Sequence, residues 1–384
     1  MQYRKFGKMD FKVSALGFGA MRLPMNEGAK DDKDFNEQEA IRIIRRAIDS
    51  GVNYIDSAYI YHGGLSEVVV GKALKDGYRQ KVKIATKFPV GFAKTEADFD
   101  RILDEQLKRL DDTHIDFYMF HGIGDGGLKE IQDKNFFKKI EAAKADGRIG
   151  HIGFSFHDTN EAFTRVVDAY DKWEFCQIQY NYMDTENQAG VKGLKYAGAK
   201  GIAVIIMEPL LGGRLARPPK SIQNIIDAYK TKKTGAEWAL QWIWNQPEVT
   251  MILSGMSAMQ QVEDNIVYAG RSGVNLLSAE EVKLVETIRD GFRQRAVIPC
   301  TKCNYCMPCP SGVNIPHNFA LYNEGLVYED PGAPRFTYER WTDPKERANQ
   351  CTQCKICEEK CPQKIEISDW MPKVHAVLGE GKDY

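Results

Sequence analysis

Eight of the nine cysteines in this chain of 384 residues lie in two short runs within its last quarter. The first run places a cysteine at every third position and closes in Cys-Pro; its members are Cys300, Cys303, Cys306 and Cys309. The second run has the spacing C-x2-C-x2-C-x3-C-P; its members are Cys351, Cys354, Cys357 and Cys361. The second spacing is typical of thiolate ligation of 4Fe–4S clusters. Together the runs predict a small domain that binds two such clusters.

The ligand pairing follows from the last cysteine of each run, which in two-cluster domains ligates the other cluster. Crossed ligation would place Cys361 with the first three cysteines of the first run, and Cys309 with the first three of the second. The spacer before Cys309 has two residues instead of three, which leaves its partner set open. Zinc is the alternative occupant, because structural zinc also takes four cysteines, usually as two separated pairs. Two runs that each close in Cys-Pro favour clusters. Cys176, the ninth cysteine, is expected in the core.

A second set of chemically useful residues follows three neighbouring predicted strands near the start of the chain. It contains an acid, a phenol, an amine and an imidazole: Asp56, Tyr61, Lys87 and His121. Such groups suit carbonyl reduction, in which a developing oxyanion needs a proton donor. A free tyrosine, with a pKa of about 10, is a weak donor, and a neighbouring ammonium would lower that pKa. Lys87 could supply the charge, Asp56 could hold it in place, and His121 could hydrogen-bond the carbonyl oxygen.

The elements that must position these residues alternate along the first 270 residues. Short β-branched and aromatic runs predict eight strands, at 13–19, 52–58, 82–88, 115–121, 151–156, 175–181, 202–210 and 250–256. Apolar periodicity and cap residues predict helices between them, including 36–51, 96–111, 135–147 and 258–269. Eight strand–helix repeats indicate an α/β fold, a (β/α)8 TIM barrel, whose chemistry lies at the C-terminal ends of the strands.

The alternative fold is a doubly wound sheet, which the count of eight disfavours. The strand–helix rhythm stops near residue 285, where the cysteine-rich segment begins. We therefore expect a barrel over residues 1–285 and a small, mainly α, ferredoxin-like iron–sulfur domain over residues 286–384.

The segment "NYIDSAYIYHGGLSEVVVGKAL" resembles the signature of the aldo-keto reductases, in which an Asp is followed five residues later by a Tyr, then by a Gly and a Ser-Glu pair. The catalytic Lys and His of that family match Lys87 in "IATKF" and His121 in "FYMFH". The resemblance implies Tyr61 as proton donor, with Asp56, Lys87 and His121 completing a tetrad. It also implies a (β/α)8 barrel that binds NAD(P)H across its mouth without a Rossmann fold. The cysteine-rich segment resembles the ferredoxin-type tail of one branch of these proteins.

The same resemblance suggests residues that contact the nicotinamide end of the cofactor. Ser155 in "GFSFHD" and Gln177 in "CQIQYN" match the residues that bind the carboxamide. The usual Asn after the Ser is Phe156 here, which removes one hydrogen bond to that amide. Met207 stands where many relatives have an aromatic residue that stacks on the ring, and its sulfur can still pack against the ring face.

The adenosine end is expected at "SGMSAMQQVEDN", with Gly255, Gln261 and Asn265 as contacts. NADP-preferring members carry a Lys and an Arg where this chain has Gly255 and Gln261. A 2′-phosphate would lose charge-assisted hydrogen bonds there, so the sequence favours NADH over NADPH. Arg22, in "GAMRLP" after the first barrel strand, reaches the same rim and would meet an anionic substrate or form a rim salt bridge. His62 is expected on the loop surface.

Composition limits the classes of function. The formal charge is −1, from 52 basic and 53 acidic residues, which argues against nucleic acid as a partner. The sequence has neither a signal peptide nor an apolar run long enough to cross a membrane, so we expect a cytoplasmic protein.

The leading hypothesis is an oxidoreductase that transfers a hydride between NAD(P)H and a small carbonyl or alcohol substrate. Its iron–sulfur domain would exchange electrons with a redox partner or sense redox state. The alternative is an electron-transfer or redox-sensing protein whose barrel binds nucleotide without carbonyl turnover.

Overall fold

The computed structural model describes residues 1–384, and the chain divides into two compact units. The first unit contains residues 1–216 and 236–282, and the second contains residues 217–235 and 283–384. The second unit thus includes a short segment from within the range predicted for the barrel.

The first unit is built on a closed barrel of eight parallel strands. The strands of the chain are β1 Tyr3–Lys5, β2 Lys12–Ser14, β3 Leu16–Gly19, β4 Tyr54–Asp56, β5 Lys83–Phe88, β6 Ile115–Ile123, β7 Ile149–Phe156, β8 Phe175–Gln179, β9 Ala203–Met207 and β10 Val249–Ser254. Strands β3 to β10 follow one another around the barrel, and β10 closes it by pairing with both β9 and β3. The prediction of eight strands in a (β/α)8 barrel is confirmed.

An antiparallel hairpin of β1 and β2 precedes the barrel, and the sequence pattern did not predict it. Phe6 and Val13 of this segment are fully buried. They belong to one core cluster with Tyr54 and Phe175, which are the first residues of β4 and β8. The hairpin therefore covers the ends of the strands that lie opposite the predicted site. The predicted strand 13–19 is accordingly two strands, which are separated at Ala15.

Helices follow the barrel strands along the chain. Those up to residue 293 are α1 Glu37–Asp49, α2 Leu65–Ala73, α3 Asp98–Leu110, α4 Asp125–Asp133, α5 Phe136–Ala145, α6 Asn160–Asp168, α7 Gly190–Ala199, α8 Lys220–Ala228, α9 Gly235–Trp244, α10 Met259–Gly270 and α11 Ala279–Arg293. The side chain of Asn36 caps α1 by accepting from the Glu39 N–H at 3.0 Å, and Gly51 follows the helix with φ of +95°. This agrees with the predicted cap residues.

The second unit is mainly helical, as predicted. Its remaining helices are α12 Ile315–Tyr328, α13 Gly332–Arg340, α14 Ile356–Glu359 and α15 Ile367–Leu378. Phe319 of α12 and Met371 of α15 are fully buried in one core cluster, which also contains Cys357 and Cys361. None of the helices of the chain combines the length and the apolar character that crossing a membrane requires.

Candidate active site and cysteine clusters

The four predicted catalytic residues lie together at the C-terminal ends of β4, β5 and β6. Lys87 is 1% exposed, and its Nζ donates to Asp56 Oδ1 at 2.5 Å and to the Ser57 carbonyl oxygen at 2.6 Å. The same Nζ lies 4.7 Å from the centroid of the Tyr61 ring. The Tyr61 and His121 rings meet edge to face, with centroids 5.8 Å apart. An acid, an amine, a phenol and an imidazole therefore share one site.

Burial and neighbouring charges set the protonation states of this site. Burial alone would lower the pKa of Lys87, but Asp56 and Tyr61 together raise it above its ordinary value, so the ammonium is retained. Burial raises the pKa of Tyr61, and the charge of Lys87 opposes this rise without reversing it. Lys87 therefore lowers the pKa of Tyr61 as expected, but desolvation of the phenolate is the larger effect, and the pKa lies above its ordinary value.

His121 is neutral at neutral pH. Burial first, and then the charge of Lys87, lower its pKa to about 3. A neutral imidazole still has one N–H that it can donate to a carbonyl oxygen. His121 could therefore donate a hydrogen bond without carrying a charge.

A buried polar network supports the strand that carries Lys87, and the sequence reasoning assigned it no function. Gln106 of α3 donates through Nε2 to the Lys87 carbonyl oxygen at 3.1 Å and to Glu67 Oε1 at 2.6 Å. Thr86 donates to the same Glu67 oxygen at 2.6 Å, and Arg109 pairs with the other at 3.2 Å. Glu67 belongs to the Ser-Glu pair of the segment "NYIDSAYIYHGGLSEVVVGKAL". That pair was the feature of the sequence from which a role for Glu67 could have been inferred.

The residues predicted at the nicotinamide end lie on neighbouring strands. Ser155, next to the last residue of β7, and Gln177, in the middle of β8, are 2% and 3% exposed. Gln177 Nε2 contacts the sulfur of Met207 at 3.8 Å, whereas its Oε1 is buried without any hydrogen-bond partner. A buried acceptor without a partner is costly, so this oxygen fits an amide donor such as a carboxamide. Phe156 points into the outer core, with its ring 5.1 Å from Phe163.

The residues predicted at the adenosine end lie in the connection from β10 to α10. Gln261 Oε1 accepts from the backbone N–H groups of Ser257 and Ala258 at 2.8 and 3.2 Å and so closes the start of α10. Asn265 Nδ2 donates to Ser254 Oγ at 3.1 Å. Gly255 lies beside the side chain of Arg22. Gly255, Gln261 and Asn265 thus lie in one segment of the chain. The side chains of Gln261 and Asn265 form hydrogen bonds within that segment.

One expectation about a loop residue near the site is wrong. His62 is 5% exposed and is not loop surface. Its Nδ1 donates to the Asp32 carbonyl oxygen and its Nε2 accepts from the Leu23 N–H at 3.4 Å. His62 thereby ties the turn that carries Tyr61 to the segment after β3.

The eight clustered cysteines separate into two sets of four. One cavity is lined by Cys300, Cys303, Cys306 and Cys361, and a second by Cys309, Cys351, Cys354 and Cys357. Ile315 and Ile367 line both cavities and so lie between them. Each run thus contributes three thiols to one cavity and one thiol to the other, despite the shortened spacer before Cys309. Cys176 is a fully buried core residue.

The backbone has the same form in the two cysteine runs. The second and fourth residues after each first cysteine have positive φ: Lys302 and Asn304 in one run, Gln353 and Lys355 in the other. The Gln353 N–H donates to Cys351 Sγ at 3.4 Å. Turns of this kind direct backbone N–H groups at anionic sulfur. The donor set of four thiols, with apolar residues around it, fits an iron–sulfur cluster at each cavity.

Two family models match the chain along its length. The model described as the aldo/keto reductase family matches residues 15–290, which hold the barrel and its tetrad. The chain belongs to the aldo-keto reductase family and is an oxidoreductase of that family. The model described as a 4Fe-4S dicluster domain matches residues 299–366. The resemblance seen in the motifs is confirmed for both regions.

Known relatives are similar over more than two thirds of the chain. L-galactose dehydrogenase of Arabidopsis thaliana is 30% identical over 285 residues, which are 69% of this chain and 87% of that protein. A probable aldo-keto reductase of Glycine max is 27% identical over 321 residues, or 75% of this chain and 89% of that one.

Solved structures are similar over the same share of the chain. The holo form of an aldo-keto reductase from Bacillus halodurans has a TM-score of 0.61 and 27% identity, with 75% of this chain and 96% of that one covered. An aldo-keto reductase from Klebsiella pneumoniae in complex with NADPH has a TM-score of 0.59 and 25% identity, with coverage of 75% and 95%.

Proposed function

We propose that this protein transfers a hydride between NAD(P)H and a carbonyl or alcohol substrate at the mouth of the barrel. The observation that carries the proposal is the buried ion pair of Lys87 and Asp56, with the Lys87 Nζ 4.7 Å from the Tyr61 ring centroid. A buried ammonium held against a phenol is an arrangement for controlling proton transfer at that phenol. The solved Klebsiella pneumoniae relative binds NADPH, which supports a nicotinamide cofactor.

The proton of the reaction belongs to Tyr61 in this proposal. Reduced nicotinamide, when bound, supplies a hydride to the carbonyl carbon. The Tyr61 hydroxyl donates its proton to the carbonyl oxygen, and the Lys87 ammonium stabilises the phenolate that remains. The neutral His121 donates a hydrogen bond to the same oxygen and so orients the carbonyl group.

Three residues would hold the nicotinamide ring. The buried Gln177 Oε1, which has no partner, would accept from the carboxamide NH2. Ser155 Oγ already accepts from the Gly122 N–H at 2.7 Å, so its own hydroxyl proton is available to the carboxamide oxygen. Met207 would pack on the ring face. We propose NADH over NADPH, because Gly255 has no side chain and the Gln261 oxygen is already engaged with the start of α10.

Isotope transfer tests this part of the proposal. The protein is incubated with a panel of aldehydes and with NADH or NADPH deuterated at C4 of the ring. We expect one deuteron on the former carbonyl carbon of the product alcohol, as measured by mass spectrometry. Dinucleotide binding without label transfer across the panel would contradict the proposal. That result would favour the alternative of a nucleotide-binding redox sensor.

We also propose that the second unit holds two 4Fe–4S clusters with crossed ligation. The two cavities, each lined by three cysteines of one run and one of the other, support this assignment. Cys303 and Cys354, one from each set, are exposed, which suits electron exchange with a redox partner protein. Nicotinamide carries two electrons as a hydride while each cluster carries one, so the two chemistries are distinct.

Metal analysis of anaerobically purified protein tests the cluster assignment. We expect about eight iron and eight sulfide per chain, from two clusters of four each. Cys309→Ser and Cys361→Ser should each perturb the electron paramagnetic resonance signal of a different cluster. A protein that contains zinc without iron would contradict the assignment.

A further inference from the structure

Arg22 is an unpaired cation at the mouth of the barrel. It follows β3 by three residues and is exposed. The Arg22 side chain forms no ion pair and no hydrogen bond, in contrast to Arg46, which pairs with Glu263 at 2.6 Å, and to Arg109, which pairs with Glu67. The rim salt bridge considered from the sequence is therefore not formed. An unpaired arginine at a ligand-binding rim is available to an anion.

Glycines define where the Arg22 side chain lies. A Cβ placed on Gly255 would be 3.3 Å from Arg22 Cβ and 3.6 Å from its Cγ and Cδ. A Cβ placed on Gly212 would be 3.4 Å from Arg22 Nη2. The aliphatic stem therefore runs beside the connection after β10, and the guanidinium lies at the turn Leu211–Ala216 after β9. Arg214 in that turn already has an interaction of its own. The Arg22 guanidinium beside the turn is therefore the one that is available to a ligand.

This position lies between the two proposed ends of the cofactor. The proposed nicotinamide contacts are on β7, β8 and β9, and the proposed adenosine contacts are in the connection from β10 to α10 and in the first turns of α10. The barrel order runs β7, β8, β9, β10 and then β3. A dinucleotide with its ends at those two places has its diphosphate over the connections that follow β9 and β10. The guanidinium of Arg22 occupies this interval.

We propose that Arg22 binds the diphosphate of the dinucleotide as a cofactor-binding residue. The proposal rests on the proposed function, because it takes the two cofactor ends from it. A planar guanidinium matches phosphate oxygens with two parallel charge-assisted hydrogen bonds. The small residues Gly212 and Gly255 leave the space that the phosphates and the Arg22 stem require. The diphosphate is common to NADH and NADPH, so the role of Arg22 is independent of the choice between them.

The test compares dissociation constants of the whole protein by fluorescence titration. Hydrogen bonds to charged groups contribute about 1.5–3 kcal/mol, so Arg22→Ala should weaken NADH and NADPH by the same factor of about 10 to 100. ADP-ribose, which has the diphosphate but no nicotinamide, should lose the same factor, and 2′-AMP, which lacks the diphosphate, should lose none. Arg22→Lys should give an intermediate loss, because the charge remains while the paired donors are gone.

Two further variants guard against a loss of folding. Arg101→Ala on α3 removes an exposed arginine that pairs with Asp98 and should leave all four dissociation constants unchanged. Gly255→Ala should displace the Arg22 stem, and its effect should be smaller in the Arg22→Ala background than alone, since both act through one contact.

Each contrary result has a definite meaning. A loss for NADPH and 2′-AMP alone would assign Arg22 to the 2′-phosphate and overturn the proposal. A raised KM for substrate with unchanged dinucleotide affinity would assign it to an anionic substrate and also overturn the proposal. Wild-type protein that binds dinucleotide without turnover would contradict the proposed function while leaving this test intact. Wild-type protein that binds no dinucleotide would overturn both.

Discussion

The two units of the chain hold their functional residues by different means. In the barrel unit, Lys87 and Asp56 are fixed by strands and by a buried network of protein hydrogen bonds that includes Glu67 and Gln106. In the second unit the functional residues are thiols that line two cavities, and Cys357 and Cys361 belong to the hydrophobic core itself. The Lys87–Asp56 pair is thus held by protein groups alone. In the second unit, by contrast, cysteines that line the cavities are also core residues.

We therefore expect the fold of the second unit, and not that of the barrel, to depend on a bound inorganic group. Where ligands also serve as core residues, the free energy of metal binding becomes free energy of folding. A site on a closed barrel draws its rigidity from the apolar core beneath it. Experiments on each unit can test this difference in metal dependence.

Removing the clusters should unfold the second unit and leave the barrel folded. We expect anaerobic treatment with an oxidant and an iron chelator to remove protease protection from residues 299–366, because the core would lose the groups that join the two cysteine runs. Peptide mapping by mass spectrometry after limited proteolysis measures this, with barrel peptides as the internal control. Undiminished protection of residues 299–366 in iron-free protein would refute the contrast.

Lys87→Met should destabilise the barrel, because it leaves the Asp56 carboxylate buried without its ion-pair partner. Breaking a buried pair in this way costs about 3–5 kcal/mol, measured as a change in the urea unfolding transition of the barrel. The matched control is the double variant Asp56→Asn, Lys87→Met, which removes both charges. It should recover most of the stability and none of the turnover. Equal destabilisation by the single and double variants would show that the pair is not coupled.

Gln177→Leu should weaken nicotinamide binding by a smaller factor. The substitution removes the buried acceptor that we assign to the carboxamide, and a single neutral hydrogen bond is worth about 0.5–1.5 kcal/mol. We therefore expect a rise of about threefold to tenfold in the dissociation constant for NADH, measured by fluorescence titration. Gln132→Leu, at an exposed position of α4, is the control. Unchanged NADH affinity in Gln177→Leu would remove this residue from the cofactor site.

Changes of pH between 6 and 8 should have the smallest effect on reduction. The pKa of His121 is about 3 and the pKa of Tyr61 is raised above 10, so neither group titrates in this range. Reduction uses the protonated phenol, so its rate should fall only as pH rises through the raised pKa of Tyr61. The reverse oxidation uses the phenolate and should become faster in the same range. A step in the reduction rate near pH 6.5 that disappears in His121→Gln would contradict the neutral state of His121.

The sequence predicted the features that depend on local pattern. Each barrel strand is a short β-branched or aromatic run between turn residues, so all eight could be recognised. Asp56, Lys87 and His121 stand at the ends of such runs, and parallel strands bring those ends to one rim. The cysteine sets could be proposed because spacing within each run limits which thiols share a cluster.

Other features depend on contacts between distant parts of the chain. Phe6 and Val13 hold the hairpin of β1 and β2 against the starts of the barrel strands. Strands of only three residues are too short for their sequence pattern to predict this burial. His62 is buried because the segment after β3 folds back over it. The direction of the Tyr61 pKa shift depends on desolvation by the whole barrel mouth, whereas a nearby lysine in the sequence suggests the opposite direction.

Tyr61 is the residue that we propose as the proton donor for hydride transfer in the barrel. The most direct test is single-turnover reduction of an aldehyde at saturating NADH, followed by nicotinamide absorbance, in wild-type protein and in Tyr61→Phe. We expect the rate in Tyr61→Phe to be about 10²- to 10⁴-fold lower than in wild-type protein, with the dissociation constant for NADH unchanged. An undiminished rate in Tyr61→Phe, at full occupancy by NADH, would contradict it.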